Sequence, residues 1–523
     1  MMGSTVKRFL TVLVAGSLML GVAGCSGATS SDAGQAGSTT GPKELVIAQG
    51  TDPLTLDPHR STVQQALNIS MAIAEPLFTL DYKTGEIKPL LGLEAKNLDD
   101  KTWQINLRQG VKFTNGEEFT ADSVKVSIER IKKPELKSPA TIYVRPIEKV
   151  EVVDKYTVKL VTSAPSPVIP LYLTRIAMVP PKYLQEKGEE ALVKAPVGTG
   201  AYKLKEWIKD ERVVLTANPD YWGGKPQLDT VTFRSIPETS TRMAALKTGE
   251  ADIVTQVAAE EVSALEQGGQ VKVQSIPGLR LMMYQFNLEK DGPQQDVRVR
   301  QALNYAVDKE ALVKNILNGN GRVLDGQPVA KEYFGFSDQV KAYPFDPEKA
   351  KQLLAEAGYT AAKPLAMTLY APQGRYNRDK EVAEAIGGML QAVGVKADVQ
   401  VMDWGVFIQK LLAKELAPLS FWGASTAPDA DLWLGSMMLS GAAYSEWKNP
   451  DFDKLVQAGG QTLDKQKRLE IYAQAAQMAH DQAPLIYLYQ QVDMYGISNR
   501  VQGYVPSPDE GIYLNGVTVG PKK

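Results

Sequence analysis

The chain holds one cysteine in 523 residues, at position 25. One cysteine cannot close an intramolecular disulfide, so no disulfide framework shapes the fold. Histidine is almost as scarce, with only His59 and His480. A histidine metal cage or a Ser-His-Asp triad would have to be assembled from this pair alone, and no HExxH, CxxC or GxxxxGK[ST] pattern occurs. Gly198-Thr199-Gly200 and Gly319-Asn320-Gly321 each lack the third glycine of a dinucleotide fingerprint. Gly423-Ala424-Ser425-Thr426-Ala427 misses the GxSxG nucleophile pattern by its last glycine. Charge of one sign is missing too. The 58 basic and 60 acidic residues nearly cancel, which recommends neither nucleic acid nor an anionic membrane surface as partner. Beyond residue 24 no apolar run reaches the roughly 20 residues of a membrane span, and no repeat recurs at a fixed period. The expectation is a protein that is not an enzyme and carries no cofactor or metal. A secreted hydrolase using Ser425 is the rival of a different class.

What is present begins at the N-terminus. Lys7 and Arg8 precede an uncharged apolar run over residues 9–22, and small residues lead into Cys25. That is the layout of a secretory signal. Val22-Ala23-Gly24-Cys25 resembles the bacterial lipobox, which implies cleavage before Cys25 and lipid on its sulfur; a plain signal peptide with an incidental cysteine is the alternative. Residues 26–42 are Ser, Gly, Thr and Ala apart from Gln35, Pro42 and one charge at Asp32, the composition of a flexible tether. The expected location is therefore outside the cytoplasm, anchored to the cell membrane by lipid alone.

The body changes character along its length. Residues 43 to about 287 are strand-rich and read as α+β with much antiparallel sheet. Residues 45–49 form a strand, and Ser61-Thr62-Val63-Gln64 reads as a capping box opening a helix with Val63, Leu67, Met71 and Ala74 on one face. Trp103, Ile105 and Leu107 alternate, as do Val111 and Phe113 across a turn at Arg108-Gln109-Gly110. Val150 and Val152 suit pairing with Tyr156, Val158 and Leu160, and residues 202–207 suit pairing with 213–215. From about residue 297 helix and strand alternate. Asp346-Pro347 starts a helix that Gly358 ends, and strands at 365–370, 395–401 and 418–422 alternate with helices at 379–393 and 404–415. Such βαβαβ order implies parallel strands with right-handed crossovers, and ligands of parallel sheets sit beyond the strands' carboxyl ends. Arg375, Tyr376, Trp404 and residues 423–429 stand there.

Blocks of sequence in a fixed order then carry a resemblance. "EPLFTLDYKTGEIKPLLG" (75–92), "WQINLRQGVKFTNGEEFTADSVKVSIERI" (103–131), "GTGAYKLKEW" (198–207), "NPDYWGGKPQLDTVTFR" (218–234), "LKTGEADI" (246–253), "VRQALNYAVDKEALV" (299–313) and "DPEKAKQLLAEAGY" (346–359) resemble the bacterial solute-binding proteins of family 5. These are the extracytoplasmic components of ABC importers for oligopeptides, dipeptides, glutathione and nickel chelates. The resemblance implies a two-lobed, type II periplasmic-binding-protein fold of α/β class. Lobe I would take residues 43–287 with 491–523, including an extra domain at about 92–200, and lobe II residues 288–490. The chain would cross between lobes near residues 284–288 and 489–493, making a hinge that closes on ligand. The implied partners are a small peptide or peptide-like ligand and ABC permease subunits with cytoplasmic ATPases; the protein itself would be a monomer. A nickel or other metal-chelate binder is the alternative within the family.

In peptide-binding relatives an aspartate shortly after a tryptophan-ended strand pairs with the peptide ammonium. Here "FWGASTAPDAD" places Ser425 near that position, with Asp429 and Asp431 as substitutes, the latter equally an N-cap. The expected ligand contacts are Thr51, Arg375, Tyr376, Trp404, Trp422, Ser425 and Asp429. Arg375 would clamp a carboxylate. Trp404 and Trp422 suit core packing equally well, Thr51-Asp52 before Pro53 suits a plain turn, and Met282-Met283 and Met437-Met438 read as core.

Overall fold

The computed structural model describes residues 41–522. The signal segment, Cys25 and nearly all of the tether lie outside the described residues. Two long antiparallel strands, Val271–Phe286 and Leu485–Ser498, run through the middle of one 11-stranded sheet. On one side of this pair stand Ile253–Val254, Glu44–Gln49, Thr230–Ser235, Arg212–Ala217 and Tyr202–Ile208, in that order. On the other stand Leu419–Ala424, Ala366–Gln373 and Lys396–Asp403. The last three are parallel to one another, as alternating helices and strands require. Asp346 caps the helix Pro347–Glu356 by accepting from the Lys349 N–H, and Gly358 and Gly394 take left-handed φ beyond the helix ends.

The register of the long pair breaks twice near its centre, by the larger step between Pro277 and Leu281 and again between Met282 and Met283. Pro277 lies opposite Val492, but Leu281 lies opposite Gln490, so residues are left over on one strand. Pro277 has no N–H to give the ladder, and a Cβ on Gly278 would collide with the Asp493 carboxylate. Residues 284–288, expected to cross between lobes, begin inside regular pairing with residues 419–421 and 485–486, so a crossing there runs along hydrogen-bonded strands. The larger interruption falls earlier, at 277–281, beside the second expected crossing at 489–493.

A separate four-stranded sheet, ordered Gly92–Asp99, Thr102–Leu107, Thr157–Thr162, Ile147–Asp154, packs on the helix Ala121–Lys132 around its own core of Ile105, Phe119, Val124, Ile128 and Val158. Val150 pairs with Leu160 and Val152 with Val158, and Leu204 pairs with Leu215, as their alternation suggested. Val111 and Phe113 do not form the expected hairpin partner. They are buried, but the strand 102–107 already has neighbours on both sides. The helix Gln64–Ile73 also departs from expectation. It buries Ala66, Ile69 and Ile73 rather than the face of Val63, Leu67 and Met71, and Val63 is exposed. No capping box forms: the Ser61 hydroxyl accepts from the Val63 N–H in a local turn.

Three of the quoted sequence blocks meet at one side chain. The buried Glu75 carboxylate accepts from Thr199 Oγ1 (2.8 Å), Tyr221 OH (2.6 Å) and Trp222 Nε1 (2.8 Å). Gly198 and Gly200 allow this because a Cβ on either would strike the carbonyls of Ile73 and Ala72. The C-terminal stretch returns to the early strands, with Tyr504, Ile512 and Val517 packed among Leu45, Ile47 and Phe233. Among the described residues no helix is long and apolar enough to cross a membrane.

Candidate functional site

The carboxyl ends of the parallel strands form a rim. After Ala366–Gln373, the Asp379 carboxylate accepts from the backbone N–H of Gly374 (3.2 Å), Arg375 (2.8 Å) and Tyr376 (3.0 Å), which fixes that turn. Tyr376 donates its hydroxyl to the Gly423 carbonyl at 3.1 Å, tying one strand end to the next. Asp403 caps the following helix through the Gly405 N–H and holds Trp404 at its start. Tyr376 and Trp404 meet edge to face at 5.8 Å. The Arg375 guanidinium lies 5.2 Å from the Tyr376 ring centre and 5.4 Å from that of Trp404, within cation–π range. Its side chain has no hydrogen bond or ion pair among the described residues. Burial and the nearby Arg280 cation lower its pKa from the guanidinium norm.

The wall beside this rim is of different chemistry. A narrow cavity of about 10 Å³, room for one water-sized group, is lined by Gln49, Gln65, Asn68, Thr255, Gln256, Asp493, Tyr495 and Glu510. Arg280 joins the two regions, because it pairs with Glu510 at 2.9 Å and lies 5.8 Å from the Tyr376 ring. Asp493 is buried beside the register break. Its Oδ1 accepts from Gln491 at 2.7 Å, and its Oδ2 has no partner. Burial, reinforced by the Glu510 charge, pushes its pKa up to about 7. Farther along, residues 168–172 and 427–432 close on each other. Tyr172 donates to Asp431 at 3.0 Å, and Val168 and Leu171 pack with Ala427 and Leu432.

Of the expected contacts, Arg375, Tyr376 and Trp404 come together. Trp422 turns to the opposite face of its strand, donates to Gln285 Oε1 at 2.9 Å and stacks on Tyr444. Asp429 caps the helix Ala430–Met437 and is gripped by both terminal nitrogens of Arg468 at 2.6 and 2.8 Å, so its charge is already matched. Ser425 is exposed just past its strand. Thr51 is exposed and does not line the cavity; Asp52 is taken by Trp207 Nε1. Met282 and Met283 are core.

The histidines are engaged elsewhere. His59 is buried against the Ala177 carbonyl and Arg130, with its pKa lowered to about 4 by burial and the Arg130 cation, and His480 stacks on Tyr343. Neither can serve Ser425 as a base. Among the described residues no group of three His, Cys, Asp or Glu side chains converges as a metal site. The residues that sequence reasoning missed are those of the cavity. Gln49 was within reach, since it ends a strand two residues before Thr51, the position named from the sequence.

Comparison with known proteins shows the family and the fold. The family model for bacterial extracellular solute-binding proteins, family 5 Middle, matches residues 86–445. The dipeptide-binding protein of Escherichia coli (strain K12) is 30% identical over 503 residues, covering 89% of this chain and 92% of that protein. Among solved structures, the ABC transporter substrate binding protein CtaP from Listeria monocytogenes superposes with a TM-score of 0.84 at 25% identity, over 91% of this chain and 99% of that one. A dipeptide binding protein from Pseudoalteromonas sp. SM9913 in complex with Met-Leu gives 0.80 at 26% identity, over 91% and 100%. The fold is that of type II periplasmic binding proteins.

Proposed function

We propose that this chain, which belongs to the bacterial extracellular solute-binding proteins of family 5, captures a small peptide or peptide-like solute between its lobes. It is the substrate-binding component of an ABC importer and hands the solute to permease subunits driven by cytoplasmic ATPases. The observation that carries the reading is the Arg375 cation, held over two aromatic rings without a carboxylate partner, beside a polar cavity at the strands' carboxyl ends. A guanidinium so placed is suited to a ligand carboxylate. Relatives named for dipeptide binding, one of them solved with Met-Leu, support the same class of ligand.

The lobes are proposed as residues 43–287 with 491–523, and 288–490, with the register break at 277–281 just before the first crossing. Closure then bends the two long strands. The ligand leaves unaltered, since Ser425 has no base beside it. The protein works as a monomer and is anchored through lipid on Cys25. Cys25→Ser should release most of the protein or leave it unprocessed, and unchanged membrane association with normal processing would refute the anchor.

Isothermal titration of the purified protein with Ala-Ala, glutathione and a nickel–histidine chelate tests the ligand class. Micromolar binding of a peptide, about −8 kcal/mol, is the expected result. Binding of the chelate alone would overturn the peptide reading in favour of a metal-chelate binder.

A further inference from the structure

Three residues that line one cavity each carry a buried oxygen without a partner. These oxygens are Asp493 Oδ2, Gln49 Oε1 and Thr255 Oγ1, on side chains 8%, 1% and 9% exposed. A buried acceptor left unpaired is costly, and an ionised one more so. No donor among the described residues bonds them. Gln49 spends its amide nitrogen on the carbonyls of Thr51 (3.2 Å) and Gln65 (3.3 Å), which fixes its oxygen as the atom left over. Gln491 spends its nitrogen on Asp493 Oδ1, and Arg280 donates to Glu510.

We propose that this wall receives a cationic nitrogen of the ligand, Asp493 supplying the counter-charge while Gln49 and Thr255 supply further oxygens. An ammonium carries three donors and one positive charge, which matches three acceptors of which one is a carboxylate. A neutral donor would bond Asp493 without matching its charge, and an anion would add a second negative charge beside it. The aspartate that follows the tryptophan-ended strand is not available for this task. Asp429 is neutralised by Arg468, and Ser425 carries no charge. The positive end of the solute is thus read from the hinge strand and the first lobe, and its negative end from Arg375. The inference rests on the peptide-like reading for the rest of the ligand, but not for the cation itself.

The test uses the purified protein and three probes: Ala-Ala, N-acetyl-Ala-Ala, and 1,5-diaminopentane, a cation without a peptide. Ala-Ala should bind at least about tenfold more tightly than its acetylated form, the effect of leaving one buried charge unmatched. Asp493→Asn, of the same shape, should remove most of that preference, and Thr255→Val should weaken Ala-Ala by a smaller factor. Equal affinity for the two peptides would mean that water fills the cavity, overturning the cation site while the peptide reading stands. A preference undiminished in Asp493→Asn would also overturn it. Binding of 1,5-diaminopentane alone, lost in Asp493→Asn, would uphold the cation site and overturn the peptide reading. Failure of all three probes would overturn both. The wild-type comparison needs no variant, so it decides even if a substituted protein misfolds.

Discussion

On one side of the cleft, a guanidinium, a phenol and an indole are presented by the ends of two neighbouring parallel strands; on the other, amides and carboxylates converge from segments as distant as Gln49 and Glu510. The first side is built by local rules. Each strand ends, the chain turns, and an aspartate at the helix start fixes the turn, as Asp379 does for Arg375 and Asp403 for Trp404. The second side exists only because the long strands bring the C-terminal part of the chain back to the first strand. The sides also differ in how they treat buried charge. Asp429, near the strand-end rim, is fully engaged by Arg468, whereas Asp493 keeps one oxygen free. A completed pair stabilises the fold, and an incomplete one is available to a ligand.

Removing the completed pair should have the largest effect. Asp429→Ala strands the Arg468 cation in the interior and deletes a helix cap, so urea unfolding should show a loss of about 3–5 kcal/mol. Asp493→Asn should move the unfolding midpoint far less. If both cost the same, the contrast between the two carboxylates is false. Next in size, Arg375→Ala should weaken a carboxylated ligand at least about tenfold by titration calorimetry, with little change in unfolding, because its guanidinium loses only its cation–π contacts and no hydrogen bond or ion pair.

A third effect is in pH. The folded pKa of Asp493 is raised to about 7 by burial and Glu510. The folded state therefore holds a proton that the unfolded state releases near its ordinary carboxylate value, and the group's contribution to stability is lost as pH rises from about 4 through 7. Glu510 and Arg280 face the same carboxylate and Gln491 bonds it, so Asp493→Asn is the proper reference. The wild-type minus variant stability should fall across that window. His59, with its pKa lowered to about 4, acts in the opposite sense in both proteins and cancels. A flat difference would show that Asp493 is not held protonated. The smallest effect is optical. Trp404, half-buried at the rim, should account for any ligand-induced change in emission, so Trp404→Phe should abolish it and Trp422→Phe should leave it.

Legibility in the sequence followed the same division. The alternating half was readable because its signals are local: Asp346-Pro347 and Gly358 bound one helix, and Gly394 ends another. Arg375, Tyr376 and Trp404 followed from the strand-end rule. The helix 64–73 was misread because it carries apolar residues on several sides and buries Asn68, whose Oδ1 accepts from the Ile512 N–H. Val111 and Phe113 showed burial by their alternation, but alternation does not name a pairing partner. The cavity could not be read, since no local pattern links residues 49, 255, 493 and 510, and nothing before the fold shows that Arg468 has already claimed Asp429.

The most direct measurement is a crystal structure with Ala-Ala bound. The ammonium should lie within hydrogen-bond distance of Asp493 Oδ2 and the carboxylate should meet Arg375, with Asp429 still held by Arg468. A ligand lying in the reverse sense, or an ammonium on Asp429 with the Arg468 pair opened, would contradict the assignment of the two sides.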